Sequence, residues 1–217
     1  MSKVISLEAA LEKINDGSTI MVGGFIGVGG PNTVVDGLLK KNVKDLTLIA
    51  NDTVIPEVGT GKLVVNKQIK KAIVSHIGTN PETGKQMNAG EMEVELVPQG
   101  TLAERIRAAG SGLGGVLTPT GLDTIVEEGK EKIQVCGKTY LLELPLKADI
   151  AIIRGSKVDK KGNVYYKAAT RNFNPLMAMA ADMVIVEAEE IVEVGEIDPN
   201  DVMTPGLFVD FIVKGEN

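Results

Sequence analysis

Five of the eight residues from position 23 to position 30 are glycine, and what flanks them limits what the chain can become. Before them, Thr19, Ile20, Met21 and Val22 form a short apolar, partly β-branched run that reads as a buried strand. After them come Pro31 and a predicted helix over residues 32–41, with Val34, Val35, Leu38 and Leu39 on one face. Proline suits a first helical turn, where its missing N–H costs nothing. The order is strand, glycine loop, helix. In an α/β sheet such a loop lies at the carboxyl end of a strand, where ligands bind. Glycine lets the main chain approach a ligand and turn N–H groups outward, and a helix N-terminus adds partial positive charge. The loop is therefore suited to a phosphate or a developing oxyanion. The alternative is a tight turn with no ligand, but each ordered glycine costs conformational entropy, and five of them need a reason.

The rest of the chain carries the same alternation. Ser6 reads as the N-cap of a helix through Ile14. Residues 46–50 and 72–75 read as buried strands, with Asn51, Asp52 and Thr53 at the carboxyl end of the first. Residues 79–90 read as a polar loop, and 93–97 alternate charged and apolar as a half-exposed strand does. Thr101 and Glu104 have the spacing of a capping box, opening a helix with Leu102, Ile106 and Ala109 inward that Gly110 ends. Residues 110–121 form a second glycine-rich loop, read as mobile or partner-facing. Residues 132–143 read as a hairpin about Gly137–Lys138 with Cys136 buried, and 158–166 as another turning at 161–163. Residues 150–153 and 183–187 read as further strands, 208–213 as an edge strand, and 175–181 as a helix with Met177 and Met179 in the core. Strands alternating with helices predict an α/β fold: a mainly parallel sheet flanked by helices, with antiparallel hairpin additions.

Composition sets outer bounds. A chain of 217 residues fits one domain and can bury about 70% of its unfolded surface. Net charge −6 and 3% aromatic residues give no basic stripe and few rings to stack on bases, which argues against nucleic acid. One cysteine rules out an intrachain disulfide, and one histidine without carboxylates at ligand spacing argues against a metal site. The first residues lack the apolar core of a signal peptide, and no apolar stretch nears the ~20 residues of a membrane span. A cytoplasmic protein with no membrane association is expected.

Tempting motifs fail on context. A dinucleotide fingerprint starting at Gly27 would need glycine where Asn32 stands. Residues 110–115 fit that pattern literally but follow a helix, and residues 78–85 miss the phosphate-loop spacing and have Gln86 where Ser or Thr would bind magnesium. No nucleophile elbow is present.

Residues 16–31 do resemble the signature of the CoA-transferases that act through an enzyme-bound glutamate. That signature is Asp or Asn, Gly or Asn, two free positions, three apolar residues, Gly-Gly-Phe, three free, Gly, one free, Pro. It is met by Asp16, Gly17, Ile20 to Val22, Gly23, Gly24, Phe25, Gly29 and Pro31. Residues 49–53, 75–78, 93–107 and Arg171-Asn172-Phe173-Asn174-Pro175 are similar to the same family, more narrowly to the alpha subunit of its bacterial acetate/acetoacetate (butyrate–acetoacetate, 3-oxoacid) branch. The resemblance covers nearly the whole chain, which it implies is a single alpha-subunit domain over residues 1–217.

The resemblance implies a reaction. CoA passes from a short-chain acyl-CoA to a free carboxylate by a ping-pong route through a glutamyl-CoA thioester. It implies that Gly24, Phe25, Ile26, Gly27, Val28, Gly29 and Gly30 contact CoA, a substrate, with no permanently bound cofactor. It implies that Gln99 serves an oxyanion hole; a turn residue bonded to its own backbone is the alternative. Asn51, also at a strand's carboxyl end, is a second catalytic candidate. His76, the single histidine, reads as a hydrogen-bonded strand-end residue ahead of a substrate ligand. The resemblance implies that the nucleophilic glutamate lies on the CoA-transferase beta subunit, in a glycine-rich context that nothing in this chain matches; Glu127, Glu128 and Glu187 sit in ordinary contexts. A heterotetramer of two alpha and two beta chains follows. A sugar-phosphate isomerase or deaminase of similar α/β class, and a non-catalytic nucleotide-binding module, are the other readings.

Overall fold

The computed structural model describes residues 2–216. The first half holds α1 (Leu7–Leu11), β1 (Thr19–Val22), α2 (Asn32–Lys41), β2 (Leu46–Ile49), α3 (Thr60–Val65), β3 (Ile69–Val74), α4 (Pro81–Asn88), β4 (Glu93–Leu96) and α5 (Gln99–Gly110). The second half holds β5 (Val116–Thr118), β6 (Lys132–Val135), β7 (Lys138–Glu143), β8 (Ala148–Asp159), β9 (Val164–Tyr165), α6 (Asn174–Met179), β10 (Ala181–Val192) and β11 (Phe211–Lys214).

Seven strands form one parallel sheet in the order β11-β10-β8-β1-β2-β3-β4, and β9 adds antiparallel to β8. β1 is central, with Ile20 opposite Leu48 on one side and Ile150 on the other. Its side chains alternate between two cores. Ile20 and Val22 pack with Ala10 of α1, Val34, Val35 and Leu38 of α2 and Leu63 of α3. Met21 packs on the opposite face with Leu102 and Ile106 of α5 and Met177 of α6. Burial on both faces is why these strands read as continuous apolar runs. Strand order grows from β1 outward to β4, then restarts beside β1 with β8. The sheet reverses there, and the carboxyl end of β1 lies at that reversal, where open α/β sheets bind ligands.

Both edges are blunted. β4 alternates Glu93 and Glu95, paired to Lys71 and Arg105. β11 is covered by the N-terminal segment, where Ile5 N–H donates to Ile212 and Ile212 N–H donates to Lys3. A separate antiparallel sheet, β5-β7-β6, forms a flap. Arg105 of α5 ties it on, donating to the Leu144 carbonyl at 2.9 Å, while buried Glu143 pairs with Lys130 at 2.6 Å. No helix among the described residues is long and apolar enough to cross a membrane.

Several elements depart from the sequence reading. Part of residues 79–90 is helical: Asn80 accepts from Glu82 N–H and Pro81 opens α4. α3 was not foreseen. α5 begins at Gln99, because Leu102 N–H already bonds the Pro98 carbonyl at 2.8 Å. The Thr101 hydroxyl is buried without a partner, so the capping box does not form. Residues 110–121 contain β5. Val135 pairs with Lys138, so the hairpin turns at Cys136–Gly137, and Cys136 is exposed with φ +50°. Met177 is buried, but Met179 is 38% exposed. β8 and β10 run 12 residues each, well past their apolar centres.

Candidate active site

The loop after β1 folds back on itself. Phe25 N–H donates to the Val28 carbonyl and Val28 N–H to Phe25, both at 3.0 Å. The two residues between have φ +46° (Ile26) and +82° (Gly27), the signature of a type I′ turn. Gly27 takes that conformation freely. Ile26 does not: a β-branched residue in the left-handed region costs on the order of 1–3 kcal/mol and persists only where its surroundings impose it.

Three distant side chains impose the loop's shape. The Asp52 carboxylate, after β2, accepts the Ile26 N–H at 2.8 Å. Asn172 accepts the Gly24 N–H at 3.1 Å and donates to the Val28 carbonyl at 3.0 Å. Asn174, fully buried, donates to the Gly29 carbonyl at 3.0 Å and accepts the Arg154 N–H at 3.1 Å. Gly23 is needed because a Cβ there would lie 1.8 Å from Asn174 Oδ1. The expected row of outward N–H groups is therefore largely engaged within the protein. Among the described residues, those of Gly27 and Gly29 make no hydrogen bond.

The two helix N-termini at the site differ. At α2, Pro31 offers no side-chain cap, and Glu187 of β10 supplies one, its carboxylate accepting the Val34 N–H at 3.0 Å. Glu187 is thus a buried cap, 2% exposed, and not the ordinary strand-end residue its sequence context implied. Burial raises its carboxyl above the usual range, against the Val34 bond and the charge of Arg154. Its carboxyl group occupies the positive end of α2. α5 has no side-chain cap at all, and Gln99 is its first residue, so that N-terminus stays open to an anionic group.

Gln99 and Asn51 come together. Gln99 Nε2 donates to Asn51 Oδ1 at 2.7 Å, and Asn51 Nδ2 donates to Asp52 Oδ2 at 2.6 Å. Gln99 is exposed on a helix and not bonded to its own backbone in a turn; one N–H of its amide is left for a ligand. His76 is exposed on the rim, its side chain making no hydrogen bond among the described residues, unlike the expected bonded histidine.

Two clefts of about 330 Å³ each meet at Phe25 and Gln99. One has polar walls that include Asn51, Asp52, Ser75 and His76. The other is walled by Ala103, Phe173 and Leu176. Phe25, Ile26 and Val28 are 40–50% exposed beside them. Asp52 is the one carboxylate lining either cleft among the described residues, and both its oxygens already accept hydrogen bonds. No group of described side chains is arranged to hold a metal ion. The arrangement offers amide and N–H donors, an open helix end and apolar walls, and, among the described residues, no free carboxylate. Sequence reasoning missed Asp52, Asn172 and Asn174 as loop supports and Glu187 as the cap of α2. The Asn-Asp pair at a strand's carboxyl end was the available signal for Asp52.

The profile of the family described as Coenzyme A transferase matches residues 4–215. The chain is similar to the alpha chain of acetate CoA-transferase from Escherichia coli K12, 55% identical over 99% of this chain and 98% of the relative. It is similar to the acetoacetyl-CoA:acetate/butyrate CoA transferase alpha subunit of Clostridium acetobutylicum, 56% identical over 98% of each. Among solved structures, an acyl-CoA transferase of Escherichia coli O157:H7 in a thioester complex with CoA gives a TM-score of 0.88 at 22% identity. That match covers 98% of this chain but 47% of the other, so this chain spans about half its length. The glutaconate coenzyme A-transferase of Acidaminococcus fermentans gives 0.85 at 24% identity, covering 98% and 75%. At such identities the structures speak for the fold, whereas the sequence relatives and the profile carry the lineage: the chain belongs to the coenzyme A transferase family.

Proposed function

We propose that this chain is the alpha subunit of a CoA-transferase that moves CoA between a short-chain acyl-CoA and acetate or acetoacetate. The observation that carries the reading is a cleft lined by the amides of Asn51 and Gln99 with no free carboxylate among the described residues, in a chain similar over nearly its whole length to alpha subunits of such enzymes. The nucleophile then comes from a beta subunit, in a cytoplasmic assembly of two alpha and two beta chains, with residues 1–217 as one alpha-subunit domain.

The chemistry is an exchange at carbonyl carbon. The beta-subunit glutamate attacks the acyl-CoA carbonyl, expelling the CoA thiolate and leaving an acyl–glutamyl anhydride. The thiolate attacks the glutamyl carbonyl, releasing the first carboxylate and leaving a glutamyl-CoA thioester. The acceptor carboxylate then attacks that thioester, expelling the thiolate and leaving a second acyl–glutamyl anhydride, and the thiolate attacks the acyl carbonyl of that anhydride, forming the new acyl-CoA and freeing the glutamate carboxylate. Each attack passes through an oxyanion. Gln99, oriented by Asn51, supplies one donor, and the free N–H groups of Gly27 and Gly29 and the open end of α5 are further donors for oxyanion or CoA. The segment from Gly24 to Gly30 lies along CoA, and the apolar cleft takes its uncharged arm.

The test is reconstitution. The purified chain with acetyl-CoA should give no hydroxylamine-trappable thioester, and mixed with its beta partner it should, with mass spectrometry placing the adduct on the partner. Gln99→Ala should lower kcat roughly 10²-fold with a smaller change in KM. An adduct on a glutamate within residues 1–217 would overturn the reading.

A further inference from the structure

Among the described residues, eight non-glycine residues have φ between +46° and +60°, and two of them are β-branched, Ile26 at +46° and Val54 at +55°. Both donate their N–H groups to one carboxylate. Asp52 Oδ2 accepts Ile26 N–H at 2.8 Å, and Asp52 Oδ1 accepts Val54 N–H at 2.8 Å. Asp52 is 2% exposed, and Oδ2 also takes the Asn51 amide at 2.6 Å. Val54 lies against the loop, its Cγ1 3.4 Å from where a Cβ on Gly27 would stand. Two strained β-branched residues at the site thus face each other across one buried carboxylate. The same anion fixes Asn51, which holds Gln99.

We propose that Asp52 is the positioning residue of this site. It clamps the loop tip at Ile26 in its left-handed turn and, through Asn51, aims the Gln99 amide at the same cleft. The assignment rests on the proposed function for its readout but on the hydrogen bonds above for its content. A carboxylate suits the task because it is acceptor-only, and all of the groups it meets are donors. An Asn at this position must turn an NH₂ toward either Val54 or the Ile26–Asn51 pair, setting donor against donor.

The test is a cycle in the enzyme reconstituted with its beta partner, with kcat and acyl-CoA KM measured. Asp52→Asn should lower kcat/KM at least tenfold. Glycine holds a left-handed turn without a clamp. The Asp52→Asn loss should therefore be at least threefold smaller in an Ile26→Gly background than in the parent. An equal loss in both backgrounds would overturn the clamp. Gly27→Val separates the two levels: if it abolishes turnover while the cycle is additive, the clamp alone fails, and if turnover survives, the loop's role in catalysis fails and the clamp with it. A measurement on the unmutated chain covers the case in which Asp52→Asn does not fold. The Ile26 amide, although its residue is 47% exposed, should exchange with solvent deuterium at least 100-fold more slowly than a free loop amide. Exchange at the free-loop rate would overturn the proposal.

Discussion

Gly23 and Gly84 show how little a residue's name says about its tolerance. A Cβ on Gly23 would lie 1.8 Å from Asn174 Oδ1, and Asn174 cannot step aside without releasing Gly29, Thr170 and Arg154. Gly23→Ala should cost about 3 kcal/mol by overpacking, a fall in Tm of roughly 5–10 °C measured by calorimetry. Gly84 sits inside α4 with nothing within 4 Å of a Cβ, and Gly84→Ala should raise stability by up to about 1 kcal/mol. The sequence marked the glycine loop by density alone. It could not show that Asn172 and Asn174 hold the loop from nearly 150 residues away, since nothing local to either residue encodes the other. Cys136 misled for a local reason: its apolar neighbours Ile133 and Val135 belong to a two-sided hairpin, and a turn pushes the residue after them into solvent.

At the scale of elements, α2 is held by something outside itself. Its bounds were readable because apolar spacing and Pro31 mark them, but its cap, Glu187, arrives from β10. That cap carries a pH signature. A carboxyl whose pKa is higher in the fold than in the unfolded chain contributes stability that is fully present below the unfolded value near 4.5 and is lost as pH rises through the folded value. Glu187→Gln keeps an acceptor for Val34 and removes the buried charge. The Tm of that variant relative to the parent should therefore climb between pH 4.5 and pH 7, followed by thermal melts across that range; a flat difference would mean that the charge bears no such cost. α4 escaped notice because it buries only Thr83 and Gln86, polar side chains that leave no apolar stripe to read. The ends of β8 and β10 escaped because Arg154, Lys157 and Glu189 interrupt the apolar pattern while ion pairs such as Arg154–Glu189 join the strands.

For the whole molecule, the parallel α/β class was legible because most strands are wrapped on both faces and separated by helix-length segments. The order of strands was not. Nothing in the apolar pattern says that β8 returns to the middle of the sheet. That return makes β1 depend on two halves of the chain, with β2 on one side and β8 on the other. A fragment ending at Pro98 would keep β1 to β4 and leave one edge of β1 bare. It should self-associate more strongly than the full chain at micromolar concentration, seen by light scattering. The same arrangement has a consequence in time. During synthesis β1 emerges early, while its second neighbour, Ala148–Asp159, leaves the ribosome only after α5 and the whole flap have been made. At ordinary elongation rates the nascent chain carries a sticky open seam down its centre for on the order of ten seconds, so the cell must shield this protein most while it is half made.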